Sequence, residues 1–387
     1  MASNQFCVFC GNRPKKKNKE HILPQWLIAL TGKPSRVVDI ALDYRNGKTI
    51  SFSWSSFVAP ACEKCNSAYA NLECSAKLLV EKLIAREELT ASEYILLLDW
   101  LDKTRIGLWL AYYQLQKNPA NIAPHFHINS RIASKDRMLA VYLMQTRNIG
   151  MNPVGVEPPM FHYMPSCFML NINNVAILNM SCDYLCAGRC GFPAPKVREW
   201  LLDDGGMLSF DEFTASMQVM HPILNRGIFK PSIHLYQPIM QRSTANKDDT
   251  SCIGVQNPND EFLCNHTIPS SPNQGVLFRQ EPQGVNVIVD LDTPIEYASV
   301  SMSEARPLYQ LMAQTYDLQN YCHSLYDPRS SDSSTLEEHR RYFKRIVRLN
   351  QQRRNEIIRC CQQETDTLHS PVNSGDTRKT PVKAGRE

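Results

Sequence analysis

Two Cys-x-x-Cys pairs occur early in the chain, Cys7/Cys10 and Cys62/Cys65. A two-residue gap lets both sulfurs of a pair face one ion, and four thiolates complete the tetrahedral shell that zinc takes in structural sites. A single pair could serve redox chemistry. Two, each beside turn-forming residues, point to one structural zinc per chain. Between the pairs runs Lys19-Glu20-His21-Ile22-Leu23-Pro24-Gln25-Trp26, and Asn66 follows the second pair directly. Alone, an acidic residue beside a histidine is an ordinary surface feature; bracketed by two cysteine knuckles, it becomes the candidate reactive centre.

This conjunction resembles the HNH nuclease family, whose fold is the ββα-metal unit. The family's pattern has an acidic residue directly before a histidine, then an apolar residue and a proline. Its zinc-stapled members bracket this with Cys-x-x-Cys and close with Cys-x-x-Cys-Asn at the start of a helix. Cys7, Cys10, Glu20, His21, Ile22, Pro24, Cys62, Cys65 and Asn66 fall in that order. The resemblance covers about residues 5–80, one-fifth of the chain.

The resemblance implies a metal-dependent endonuclease, and the residue types suit that chemistry. Phosphodiester hydrolysis needs an activated water, an electrophile for the non-bridging oxygen and help for the leaving 3′-oxygen. A neutral imidazole near pH 7 can accept the water proton, the role given to His21. On an extended segment Glu20 points to the other side of the backbone. It would bind a hard divalent ion, with Asn66 as second ligand from the first helical turn. Two protein ligands leave Mg²⁺ or Mn²⁺ its waters and phosphate oxygens.

In one respect the pattern departs from the family. The middle asparagine that braces the loop and orients the histidine is missing, and Ser55, Ser56 or Asn46 would have to substitute. The forty-four residues between His21 and Asn66 also imply an inserted strand or loop. Lys15, Lys16, Lys17 and Lys19 precede the site and would clamp phosphates, with binding that falls as salt rises. Arg13 and Lys64 flank the knuckles. No base-reading motif is visible, so DNA is the expected substrate without a sequence preference, and RNA is not excluded.

The elements that must position these residues follow from patterning. Val37, Val38, Ile40 and Leu42, then Ile50, Phe52 and Trp54, flank Asn46-Gly47 and read as a hairpin. Helical spacing begins near Asn66 and continues through Ala68, Leu72, Leu79 and Leu83. A second helix spans 91–117, its Trp100, Trp109, Tyr112 and Tyr113 assigned to a core. The segment 121–180 is β-rich, with a hairpin about Asn173-Asn174. Residues 240–285 read as a long loop or weakly structured connection, helices resume over 302–325 and 334–363, and the tail from 364 reads as disordered. The fold class is therefore α+β. An HNH head over 1–85 precedes a mixed α/β body over 86–363, which divides near 240–285, and a 364–387 tail follows.

Composition bounds the function class. At 43 % hydrophobic and 21 % charged residues, the 387-residue chain is that of a globular protein, not a collagen, coiled coil or disordered polymer. No run approaches the ~18–20 apolar residues of a membrane span. The first residues lack the basic and apolar regions of a secretory signal, so a cytoplasmic location is expected and the fourteen cysteines are expected as thiols. Residues 1–85 carry twelve Lys/Arg against six Asp/Glu, residues 86–333 eighteen against twenty-five, and residues 334–363 eight against three. Basic ends around an acidic middle suit a head that meets a polyanion.

Other constellations carry less. Cys182, Cys186 and Cys190 could line one helical face or form a second metal site with Cys167 or His162, but buried thiols explain them more simply. His125 and His127 lack a third partner in sequence. The 334–363 helix is amphipathic, with a basic face that either adds DNA contacts or is a solvated surface. The sequence reading is thus an HNH endonuclease, by fold-level analogy a phage-defence or restriction effector, with a body that oligomerises or meets a regulatory partner. A non-catalytic zinc-stapled nucleic-acid-binding or scaffold protein is the alternative.

Overall fold

The computed structural model describes residues 5–14, 18–43, 46, 48–117, 124, 126–145, 149–157, 166–181, 187–192, 201–202, 208–210, 230–239, 254–255, 277–281, 283–288, 290–298, 305–325 and 333–369. In chain order the first elements are β1 (Asn18–His21), α1 (Gln25–Leu30), β2 (Val37–Leu42), β3 (Thr49–Ser53), β4 (Val58–Ala61), α2 (Glu63–Ala68) and α3 (Ala70–Ala85). Strand β1 pairs antiparallel with β4, and β2 pairs antiparallel with β3, the hairpin that the sequence indicates. The inserted hairpin accounts for the long spacing after His21.

Next come β5 (Leu89–Thr90) and α4 (Ala91–Leu115). Thr90 opens α4 with a reciprocal cap: its hydroxyl accepts from the Glu93 N–H while the Glu93 carboxylate accepts from the Thr90 N–H. Every residue from Leu97 to Tyr112 is buried, so α4 has no solvated face along four turns. Its charged residues are paired inside. Arg137 donates to Asp99 at 2.5 Å and Asp102 at 3.0 Å, while Arg105 bonds Asp102 at 2.6 Å and Asn179.

The body continues with α5 (Ile128–Arg131), β6 (Arg137–Leu143), β7 (Met151–Val154), β8 (Ser166–Ile172), β9 (Val175–Ser181), β10 (Leu201–Leu202), β11 (Leu208–Phe210), β12 (Ile233–Gln237), β13 (Gly254–Val255), β14 (Leu277–Glu281), β15 (Gly284–Ile288), β16 (Pro294–Ile295), α6 (Ala305–Leu325) and α7 (Ser333–His369). A seven-stranded sheet in the order β15-β14-β12-β6-β9-β8-β7 is antiparallel throughout. Helices and a large antiparallel sheet make the chain α+β.

Alternate residues of one strand serve two cores. Leu139, Val141 and Leu143 of β6 join a cluster with α4 and with Phe9, Ile22, Leu27, Trp54 and Leu83 of the N-terminal segment. Met138, Ala140 and Tyr142 face Leu311, Leu318 and Cys322 of α6 and Ile357 of α7. Layers thus cover both sheet faces, which is why β6, β8 and β9 read as nearly continuous apolar runs. Gly155 has φ +77°, and a Cβ there would lie 2.3 Å from Gln319 Nε2, which bonds the Gly155 carbonyl at 2.6 Å.

Two sequence expectations are corrected. The segment 240–285 is not wholly a loop: β14 lies within it and joins the main sheet between β12 and β15, its short apolar start Leu277-Phe278 giving little local signal. The last helix continues to His369, past the expected end at 363. Of the expected functional residues, Lys15, Lys16, Lys17, Cys182, Cys186, His125 and His162 lie outside the described residues, as does the tail from 370.

Candidate metal centre and the β1 histidine

The first knuckle is a tight turn. The Cys7 carbonyl accepts from the Gly11 N–H at 2.8 Å, and the Cys7 N–H donates to the Asn12 carbonyl at 2.8 Å. Gly11 has φ +75°, and a Cβ there would meet His127 Cε1 at 2.5 Å. Glycine is required on both counts. Strand β4 delivers the second knuckle, with Cys62 as N-cap of α2 and Cys65 in its first turn. The Val8 N–H bonds the Pro60 carbonyl at 3.1 Å and the Cys62 N–H reaches Cys7 Sγ at 3.1 Å, locking the two knuckles together.

The four sulfurs of Cys7, Cys10, Cys62 and Cys65 lie within 4.8 Å of one another. Cys10 and Cys62 Sγ are 3.9 Å apart; a tetrahedron of ~2.3 Å Zn–S bonds has edges of about 3.8 Å. Four cysteines therefore sit close enough to hold a metal ion such as zinc. Their protonation fits that use. Burial and the neighbouring Cys7 and Cys10 sulfurs push Cys62 up to about 11 and Cys65 up to about 12. Burial opposes ionisation of Cys10 as well, but hydrogen bonds from Asn12 and the other cysteines hold it below the usual thiol value. Sulfurs this crowded cannot all carry charge without a cation among them. Among the described residues, no second group of three or more His, Cys, Asp or Glu side chains has such spacing.

Strand alternation separates Glu20 and His21 as expected: Glu20 pairs with Ala59 and is buried, while His21, at the strand end opposite Val58, is half-buried. Glu20 meets a cation that the sequence did not reveal. Lys103 Nζ of α4 lies 2.7 Å from Glu20 Oε1 and 2.7 Å from Glu73 Oε1. The indole N–H groups of Trp26 and Trp100 donate to Glu73 Oε2 at 3.1 and 3.3 Å. Burial raises the Glu20 carboxyl above its usual range against the pull of Lys103. For Lys103, burial acts downward, but the two carboxylates outweigh it and hold the ammonium charged.

The His21 ring is met by Gln25, not by Ser55, Ser56 or Asn46. Gln25 Nε2 lies 3.2 Å from His21 Nε2. With the Gln25 amide nitrogen as donor, His21 Nε2 is the accepting nitrogen, and Nδ1 is buried without a hydrogen-bond partner. Ser55 and Ser56 bond Ser53, and Asn46 braces its own hairpin through Asp43 and Lys48. Asn66 is half-buried in α2, its N–H on the Cys62 carbonyl at 2.9 Å. Lys19 is exposed on β1, as are Arg13 and Lys64 beside the knuckles.

The body grips the first knuckle directly. The N–H groups of Ile128 and Asn129 bond the carbonyls of Val8 and Phe9 at 3.0 and 2.9 Å, and Tyr69 donates to Asn129 Oδ1 at 2.9 Å. His127 thus serves packing, its ring against Gly11 and Phe6. Cys190 and Cys167 are buried in the second core with Cys322, and burial drives the first two thiols well above their usual value. Gln25 and Lys103 are what sequence reasoning missed. Gln25 had a signal, standing four residues after His21, and so did Lys103, one of two cations in a mostly apolar helix. Neither a protein-family model, nor a curated protein, nor a solved structure matches the chain.

Proposed function

We propose that the chain is a metal-dependent HNH endonuclease that hydrolyses phosphodiester bonds in DNA. One observation carries the reading: an antiparallel strand pair followed by a helix, stapled by four cysteines, presents His21 at the end of its first strand. That is the order of the ββα-metal unit. His21 Nε2 takes the proton of the attacking water once the Gln25 amide gives way, and Nδ1 keeps the ring proton. Lys19 and the Lys15–Lys17 run add positive charge for the phosphates. Glu20 and Asn66 would hold Mg²⁺ or Mn²⁺, which would act as Lewis acid toward the scissile phosphate. Because Lys103 already bonds Glu20 Oε1, the second carboxylate oxygen is the one left for the ion. A cytoplasmic defence effector is the biological role this reading suggests.

The same Lys103 contact favours a second reading, a zinc-stapled nucleic-acid-binding protein without catalysis, in which Lys103 has taken the ion's place beside Glu20. Incubating plasmid DNA with the zinc-loaded full chain, with and without Mg²⁺ or Mn²⁺, separates the two. The nuclease reading expects nicking only with the divalent ion, abolished by His21→Ala and weakened by Asn66→Ala. DNA binding with no cleavage under either metal supports the second reading instead.

A further inference from the structure

Helix α7 is strongly basic along its middle. Between 340 and 363 the sequence has eight Lys/Arg and one Asp/Glu. At 100° per residue, Arg341, Lys344, Arg345, Arg348, Gln352, Asn355 and Arg359 lie within about 60° of one direction. All seven are exposed. The buried residues Ile346, Asn350, Ile357 and Cys361 occupy the opposite side, and Asn350 bonds Gln319 and Asn320 of α6. Two arginines outside the stripe are consumed locally, Arg353 by Glu356 at 3.2 Å and Arg354 by Asp317 at 2.7 Å. No described carboxylate pairs with Lys344, Arg348 or Arg359.

We propose that this stripe of α7 docks the phosphate backbone of duplex DNA, a second nucleic-acid contact on the sheet face opposite the cysteine-stapled segment. The stripe runs about 27 Å from Arg341 to Arg359, the axial length of about eight base pairs. Its cations recur every turn from Arg341 to Arg348, Gln352 and Asn355 fill the next three turns with neutral hydrogen-bond donors, and Arg359 closes the stripe. Charge complementarity selects a polyanion. A lipid surface fits less well, because an interfacial helix must also offer apolar side chains for insertion. The apolar side of α7 is spent on α6, and none of the exposed large hydrophobic residues among those described lies on α7. The inference goes beyond the nuclease reading and does not depend on it: cleavage is assigned to His21, binding here to α7.

The test is DNA binding by the full zinc-loaded chain, followed by fluorescence anisotropy of a 20-base-pair duplex, without added Mg²⁺ or Mn²⁺, across a salt series. Replacing Lys344, Arg348 and Arg359 together by Gln should lower the slope of log K against log salt by about 0.9 per lost contact. At ~0.15 M salt that corresponds to about fivefold in Kd each. Lys77→Gln, at an exposed position of α3, serves as control and should leave both unchanged. Should the triple variant unfold, the three single variants each carry a slope change of about 0.9. An unchanged slope, an equal loss in Lys77→Gln, or no DNA binding by the parent chain overturns the proposal. So does stripe-dependent binding to phosphatidylserine vesicles without stripe-dependent binding to DNA.

Discussion

Lys103→Met should be among the most destabilising single changes in the chain, and its cost should depend on pH in a defined direction. The Lys103 side chain is 2 % exposed and its ammonium lies 2.7 Å from both Glu20 and Glu73, whose side chains are 10 % and 18 % exposed. Methionine conserves most of the side-chain volume, so cavity formation contributes little. What remains is two carboxylates facing one another in a site poor in water. Removing one partner of a buried ion pair costs about 3–5 kcal/mol. Burial already raises Glu20 above its ordinary value with Lys103 present, and without it the folded-state value rises further. A carboxyl whose folded pKa is raised binds more protons in the folded than in the unfolded chain, so stability falls as pH rises through that range. The deficit of Lys103→Met should therefore be largest at neutral pH and shrink as pH approaches ~4.3, the ordinary glutamate value. Urea midpoints at pH 5 and pH 7, for the parent, Lys103→Met, Glu20→Gln and the double variant, measure this. Glu20→Gln should recover part of the Lys103→Met loss, because it removes one of the stranded charges. A loss under ~1 kcal/mol at pH 7, or an equal loss at both pH values, would refute the reasoning.

Three further outcomes are expected. Purified protein should contain about one zinc per chain, lost together with much of its thermal stability when Cys7 and Cys62 are both changed to Ser, as read by metal analysis and melting. Gly11→Ala should cost more than ~1 kcal/mol and weaken zinc retention, because it adds a left-handed strain to a clash with His127; full retention of both would speak against the knuckle geometry. Gln25→Ala should change stability by less than ~0.5 kcal/mol, since Gln25 is exposed, yet should shift the ¹⁵N resonance of His21 Nε2 by removing its donor.

Local chemistry was legible and long-range chemistry was not. The β2–β3 hairpin, the Asn173-Asn174 hairpin and α4 follow from turn residues and periodicity within short windows. The cysteine cluster was legible because knuckle spacing alone determines which sulfurs can share an ion. The partner of Glu20 was not, since Lys103 lies 83 residues away on a helix whose burial on every side erases any amphipathic face. Burial of both sheet faces likewise removed the alternation that would have oriented β6, β8 and β9. Strand β14 escaped because five residues ending in Arg279-Gln280-Glu281 resemble a polar connection, and only pairing with β12, about forty residues earlier, makes them a strand.

The most direct measurement is the initial rate of supercoiled-plasmid nicking by zinc-loaded protein in Mg²⁺ or Mn²⁺, wild type against His21→Ala. The nuclease reading predicts that the substitution lowers the rate by about 10²–10⁴-fold, the usual contribution of a positioned general base, with zinc content unchanged. Equal rates in the two proteins, or none in either across both metals and several substrates, would contradict it.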